Sequence, residues 1–432
     1  MTQSNLALTE NQVIPEGYKK TEIGIIPEDW IVEPLEKFTT FISYGFTNPM
    51  PTTVKGPYML TAKDINGGKI QYREARQTSI DAFNKLLTSK SKPIKNDLLL
   101  TKDGTLGRLA LVEDEPVCIN QSVAVLRPNQ RIVPNFFQLL LESEYYQDQM
   151  LENAGGSTIK HIYITVVNKM LLGLPQSLVE QQKIAIALSD TDALISELEK
   201  LIEKKQAIKT ATMQQLLTGK TRLPEFALRE DDTPKAYKDS ELGQIPEDWE
   251  VKKLGELVEI TSGESPSKFN FVNDGIPYFK VEQLNNGNFY AESTPYSVKL
   301  GKTILAGSLI FPKRGASILS NKIRILKVNA CMDTNLMALT CSHELNPNYL
   351  LYSLSYSGLD KVADTTSIPQ INNKHILPYK IFYPSVSEQI RISSILVDLE
   401  NDIELSQQKI EKLRKIKLGM MQELLTGKTR LV

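Results

Sequence analysis

The chain has 432 residues, more than one hydrophobic core usually serves, so two or more domains are expected. Its 41% hydrophobic and 23% charged residues are those of an ordinary globular protein, and a net charge of −1 argues against general coating of nucleic acid. Three cysteines without a CxxC pair and three histidines without ligand spacing give no metal site, and imply reduced, structural thiols.

In chain order, residues 1–17 read as a tail. They have neither the basic start nor the apolar stretch of a secretory signal, and no run in the chain approaches the roughly 20 apolar residues of a membrane span, so a cytoplasmic location is expected. Residues 18–178 form a first globular domain, opened by "YKKTEIGIIPEDWIVEPLEKF". Short apolar runs such as "DLLLT" and "VAVLRP", punctuated by Gly, Pro, Asn and Asp, predict a strand-rich mixed fold. "NFFQLLLESEYYQDQML" predicts a short helix, and "GTLG" after Asp103 a tight hairpin turn.

Residues 179–223 predict a long helix and its exit. Apolar or permissive residues at Ile184, Leu188, Thr191, Ile195, Leu198, Ile202 and Lys205 step by four and three, the heptad seam of a coiled coil. The helix spans about 38 residues, or roughly 55 Å. Residues 224–236, charged and flanked by proline, read as a linker. A second domain covers 237–386, opened by "YKDSELGQIPEDWEVKKLGEL" and containing "SLIFP", "IRILKV" and the helical "NPNYLLYSLSYSGLDKV". A second long helix and exit follow at 387–432, with its seam at Ile392, Leu396, Leu399, Ile403, Ser406, Ile410 and Leu413.

The chain is thus written twice. Glu180–Leu223 aligns without a gap on Glu388–Leu431, with close to half of the positions identical, and Trp30 and Trp249 occupy equivalent places. Between these ends the likeness is thin: "TKDGTLG" against "PKRGASI", "STIKHI" against "TSIPQI". Both copies close on "LLTGKTRL", whose Gly-Lys-Thr suggests a phosphate loop. A Walker A loop needs a glycine five residues before Gly-Lys, and Gln214 and Gln422 stand there. Gly219 and Gly427 fit helix C-caps instead, with Lys220, Arg222, Lys428 and Arg430 where the helix dipole favours positive charge.

Charge is segregated inside both domains. From Lys55 to Arg108 there are eleven basic residues against five acidic ones, and from Lys299 to Lys327 seven basic residues and no acid. Either run alone fits a solvated face; their matched placement favours contact with phosphates. Catalytic motifs are missing: there is no glycine-rich cofactor loop, and "NPNY" lacks the second proline of an adenine methyltransferase motif and reads as a helix start.

"IPEDW" opening each half, "LPQSLVEQQKI" and "YPSVSEQIRI" leading into the helices, and the paired "LLTGKTRL" exits together resemble the DNA specificity subunit of type I restriction-modification enzymes. The resemblance runs from Tyr18 over nearly the whole chain. It implies an α+β chain with a pseudo-twofold internal repeat: two target recognition domains separated by two long antiparallel coiled-coil helices. Each domain would read one half of a bipartite site in double-stranded DNA. The helices would set the unread spacer and dock two modification subunits, joined by restriction subunits. This chain would be non-catalytic and carry no cofactor, with S-adenosylmethionine on the modification subunit.

For DNA contacts the candidates are Lys63, Arg73, Arg76, Lys102, Thr105 and Arg108 in the first domain, and Lys313, Arg314, Ser317, Asn321, Lys322 and Arg324 in the second. Arg can pair with guanine and Asn with adenine in the major groove, while lysines more often hold phosphate. "GGSTI" (155–159) and "TTSI" (365–368) are weaker candidates. Alternative readings are the recognition part of another DNA methyltransferase or phage-defence assembly, a fused modification enzyme, and a coiled-coil scaffold that does not touch DNA.

Overall fold

The computed structural model describes residues 14–155, 160–285, 289–364 and 368–431. Most of the expected tail, most of "GGSTI" and most of "TTSI" lie outside the described residues. Two compact units divide the chain, one drawn from residues 1–198 and 409–432, the other from 199–408.

The first unit is built on an antiparallel sheet in the order 109–111, 98–101, 123–128, 39–44. Its central strands are apolar without alternation because both faces are buried. Leu98, Leu100, Ala124 and Leu126 face a core with Phe136, Phe137 and Leu140, whereas Leu99, Val123 and Val125 face another with Leu60, Ile65 and Ile119. The second unit repeats the plan with a sheet in the order 258–262, 336–341, 309–312, 324–326, 290–291. Leu309, Phe311, Met337 and Leu339 join Tyr349 and Leu350 on one side, and Ile310, Leu336 and Ala338 join Phe279 and Leu284 on the other. In each unit the repeated frame is zipped to the segment leading into the long helix: Trp30–Pro34 pairs with Leu171–Pro175, and Glu250–Lys253 with Lys380–Tyr383.

The helix expected at "NFFQLLLESEYYQDQML" is broken in two, Pro134–Glu142 and Glu144–Glu152. Ser143 leaves the helical region (φ −64°, ψ 148°), and its hydroxyl donates to the Leu140 carbonyl at 2.7 Å, taking over a bond the helix would have made. Pro347–Ser357 is continuous and stops at Gly358, which adopts φ +85°.

The long helices are Leu178–Leu217 and Val386–Leu424, each about 60 Å long. Within the first unit the Thr191 hydroxyl lies 3.8 Å from the Met420 sulfur, and Asp192 pairs with Lys417 at 2.6 Å. Within the second, Lys205 reaches Asp402 at 2.7 Å and Ser406 at 3.2 Å, and Lys209 pairs with Glu400. In both units numbers rise along one helix as they fall along the other, so the two helices are antiparallel. Ile184, Leu188, Ile195, Ile202, Ile392, Leu396, Ile403 and Ile410 are buried, and Leu198, Leu399 and Leu413 half-buried. The early seam positions serve a different purpose from the later ones. Ile184 and Leu188 belong to the first unit's core with Leu424 and Leu425, and Ile392 and Leu396 to the second unit's core with Met213, Leu216 and Leu217. Each unit therefore packs the start of one long helix against the end of the other.

The three repeated motifs meet at that junction. Gly219 and Gly427 cap their helices at φ +69° and +74°. The amides of Thr221 and Thr429 return to the carbonyls of Gln215 and Glu423, at 3.2 and 3.1 Å, a Schellman closure. A Cβ on Gly427 would lie 2.5 Å from Pro27 and 3.2 Å from Trp30; on Gly219 it would lie 2.6 Å from Pro246 and 3.2 Å from Trp249. Glycine is thus required twice, by its backbone angle and by its flat approach to the Pro and Trp of the opposite motif. Gly427→Ala is expected to cost about 2 to 4 kcal/mol, combining left-handed strain with overpacking, and to lower the thermal midpoint. Gly419→Ala, in the same helix with nothing within 4 Å of the new methyl, is the control and should stabilise slightly. Equal melting of the two variants would refute the packing argument.

The exit arginines complete the junction. Arg222 grips Asp248 at 2.8 and 3.2 Å and Glu388 at 2.7 and 2.9 Å, while the Trp249 indole donates to Glu388 at 2.9 Å. Arg430 likewise grips Asp29 at 2.8 and 2.7 Å and Glu180 at 2.5 and 2.7 Å. The next residues, Gln181 and Gln389, are fully buried and bind backbone groups of the globular part: Gln181 those of Val133, Arg131 and Pro175, and Gln389 those of Asn346, Glu344 and Pro384. Lys220 and Lys428 stay exposed.

Candidate nucleic-acid interface

In each unit a cation-bearing loop leaves the central sheet and is braced from the same directions. In the first unit the strand Leu98–Thr101 runs into Lys102-Asp103-Gly104, which turns back through Gly107 into Leu109–Leu111, so "GTLG" is the hairpin its sequence predicts. Lys102 donates its amide to Ser122 at 2.9 Å and accepts the Ile162 amide at 2.9 Å. In the second unit Leu309–Pro312 runs into Lys313-Arg314-Gly315. Lys313 donates to Asn335 at 2.8 Å and accepts the Ile371 amide at 2.9 Å. Gly104 and Gly315 turn the chain at φ +82° and +79°. Single bridges join Asp103 to His161 and Arg314 to Gln370. The two thinly aligned segments are therefore one platform, "TKDG" on "KHI" and "PKRG" on "PQI", present in both units.

The side chains on that platform differ. Lys102 is neutralised locally: its ammonium lies 2.7 Å from Asp103 and 5.5 Å from the Tyr44 ring. The other Asp103 oxygen meets His161 Nδ1 at 2.5 Å. Burial opposes ionisation of Asp103, yet Lys102 and His161 hold its carboxyl below the usual range. Lys313 instead reaches the Ser262 hydroxyl at 3.1 Å, and burial with repulsion from Arg314 lowers its pKa against the pull of Asp333.

The other candidates distribute as follows. Lys63 is exposed on a turn fixed by Asp64, whose carboxylate accepts the Thr61 amide and hydroxyl at 2.8 and 2.7 Å. Arg108 ties the hairpin to that turn by donating to the Ile65 carbonyl at 3.1 Å, and Ser122 accepts the Ala62 amide at 3.0 Å, so Lys63, Lys102, Thr105 and Arg108 share one region. Thr105 is exposed at the tip. Arg73 and Arg76 are exposed on the following turn and on the short strand Arg76–Gln77, which pairs with Met59 and Tyr58.

In the second unit Ser317 sits in the turn Ala316–Ile318 and Lys322 binds Asn285. Asn321 is engaged by the fold: its amide donates to Ser355 at 2.9 Å and its oxygen accepts from Leu359 at 3.1 Å. Arg324 donates to the Leu284 and Ile323 carbonyls at 2.9 and 2.8 Å, the counterpart of Arg108. Sequence reasoning did not single out His161, Tyr44 or Asp333; only the thin alignment of "STIKHI" pointed towards the first.

Cys118 and Cys331 are buried and Cys341 half-buried, and burial pushes the Cys118 and Cys341 thiols up to about 12. Among the described residues no cluster of three metal-ligating side chains occurs, and no helix is long and apolar enough to cross a membrane.

Residues 52–210 and 246–415 match the family described as Type I restriction modification DNA specificity domain. The chain is 27% identical over 428 residues to a putative type I restriction enzyme MjaX specificity subunit of Methanocaldococcus jannaschii, covering 96% of this chain and 97% of that one. It is 26% identical over 441 residues to the MjaVIII specificity subunit of the same organism, covering 96% of each. The fold is similar to the crystal structure of a type I restriction-modification S subunit from M. genitalium, with TM-score 0.56 and 18% identity over 91% of this chain and 96% of that chain. A chain from a structure describing complex assembly and conformational transition of the type I R-M system gives TM-score 0.55 and 18% identity over 94% and 99%. The family match covers both repeats and most of the residues, and the chain belongs to the type I restriction modification DNA specificity family.

Proposed function

We propose that this chain is the sequence-reading, non-catalytic subunit of a type I restriction-modification complex, each unit reading one half of a bipartite DNA site. The observation that carries the proposal is the duplicated platform: one backbone scaffold in both units, bearing different side chains. A shared scaffold positions, and differing side chains specify, which is what an asymmetric two-part target requires. The basic runs supply the phosphate-binding charge; Lys63 and Thr105 are exposed beside the first platform, Arg73 and Arg76 are exposed elsewhere in the same unit, and Arg314 is exposed at the second platform.

Each long helix runs on from one unit's residues into the other's, which suits a ruler for the unread spacer. Both helices also carry exposed apolar residues: Val179, Ile186 and Leu194 in the first unit, and Leu201, Ile208 and Leu405 in the second. Apolar side chains left outside a packed seam suit the docking of two modification subunits, which would carry S-adenosylmethionine and the methyl transfer. Restriction subunits would join that complex in the cytoplasm.

The full chain purified with its modification subunit is expected to enrich, from a random library of DNA fragments, a motif of two short half-sites around an unread spacer. Enrichment without any shared motif would defeat the specificity role and leave the scaffold reading.

A further inference from the structure

We infer that Arg314 is a specificity-determining residue of the second unit, aimed at a guanine edge in the major groove, and that the equivalent position in the first unit, Asp103, has no such role. This rests on the DNA-reading function proposed above and goes further by assigning one residue and one base.

Charge is arranged differently on the two platforms. In the first unit the loop lysine and the residue after it neutralise each other: Lys102 lies 2.7 Å from Asp103, and His161 occupies the other carboxylate oxygen. Both Asp103 oxygens are already engaged and its charge is matched, so little of its acceptor capacity is left for a base. In the second unit the carboxylate near the loop lysine has moved to another residue. Asn120, which accepts the Ser122 amide at 3.1 Å, is replaced by Asp333, which accepts the Asn335 amide at 2.6 Å. Asp333 is 7% exposed and is the acid that pulls on Lys313. The position after the lysine is thereby released, and an arginine stands there.

Arg314 is exposed, and its guanidinium makes no hydrogen bond or ion pair among the described residues. Its backbone is held rigidly all the same. Gly315 donates to Pro369 at 2.9 Å, Ile371 to Lys313 at 2.9 Å, and Arg314 itself bridges Gln370. A free planar fork on a fixed backbone suits bidentate donation to guanine O6 and N7, the commonest specific contact in the major groove. The neighbouring Lys313, whose ammonium meets the Ser262 hydroxyl, is placed to hold phosphate.

The test uses the full chain with its modification subunit, reading methylated sites by sequencing. Arg314→Ala should make one guanine position of one half-site degenerate, with a preference of roughly five- to 150-fold lost there, and leave the other half-site unchanged. Arg314→Lys keeps the charge and loses the fork, so it should relax the same position while preserving the salt dependence of binding. An unchanged motif with Arg314→Lys would make Arg314 a phosphate contact and overturn the assignment, as would a half-site of A·T pairs only. If Arg314→Ala abolishes modification, the Lys variant decides: a relaxed motif supports the assignment, and an unchanged motif or no modification overturns it. Absence of any bipartite motif with the unaltered chain would instead mean that the DNA-reading role itself is wrong.

Discussion

Arg222→Ala is expected to destabilise the second unit by about 3 to 5 kcal/mol, because it strands a carboxylate in the core. Glu388 and Arg222 side chains are 2% and 6% exposed. With the guanidinium gone, Glu388 retains only the Trp249 indole, so it must either stay charged in an apolar site or take up a proton. Burial already pushes its carboxyl above the usual range, against the pull of Arg222 and Trp249. Removing Arg222 leaves burial less opposed and raises it further.

Between the unfolded value and the raised folded value the folded state holds a proton that the unfolded state has lost, so stability is greatest below that window and falls as pH rises through the folded value. The unaltered chain has the same slope in weaker form. The gap between the two, measured by urea unfolding with tryptophan fluorescence, should therefore widen from about pH 5 to about pH 8. A constant or narrowing gap would show that Glu388 is not the group responsible. Arg222→Met combined with Glu388→Gln should be clearly milder than Arg222→Ala alone, since no buried charge is left unpaired. Arg430→Ala should cost less, because the Arg430 side chain is 23% exposed against 6% for Arg222, so water reaches the carboxylate it leaves more readily.

On the proposed role, lengthening both long helices by one heptad is expected to lengthen the unread spacer while both half-site sequences persist. Seven residues between Leu198 and Glu199, with seven more between Gln408 and Lys409, keep the seam in phase on both helices. The added rise is about 10 Å, or roughly three base pairs at 3.4 Å each. Sequencing of methylated sites reads the outcome directly. An unchanged spacer, or altered half-sites, would refute the ruler role.

What the sequence disclosed follows the range of each physical signal. The long helices, their glycine caps and the hairpin at "GTLG" are written in neighbouring residues, because heptad spacing and left-handed turns are properties of a few consecutive positions. The break at Ser143 is not, since it depends on one hydroxyl competing with the helix for the Leu140 carbonyl. The junction of Asp29, Glu180 and Arg430 joins residues up to 401 positions apart, and nothing local marks them as partners. Only duplication did, by showing the same three motifs twice. The candidate contacts divide in the same way: the basic runs were visible as composition, but Asn321 and Arg324 are engaged by backbone carbonyls and amides, which no count of charges reveals.

The division of the chain also orders its synthesis. Residues 199–408 contain all of the second unit, whereas the first unit needs residues 409–432 as well as 1–198. Leu424 and Leu425 fill its core, and Arg430 neutralises Glu180, which is 2% exposed. During translation, then, the unit begun first is completed last. Its strands and the start of its helix must wait on the ribosome with an open apolar face while more than half of the chain is made, at the rate of roughly 5 to 20 residues per second. Slow elongation or truncation near the end would thus expose the first unit, not the second, to chaperones and proteases.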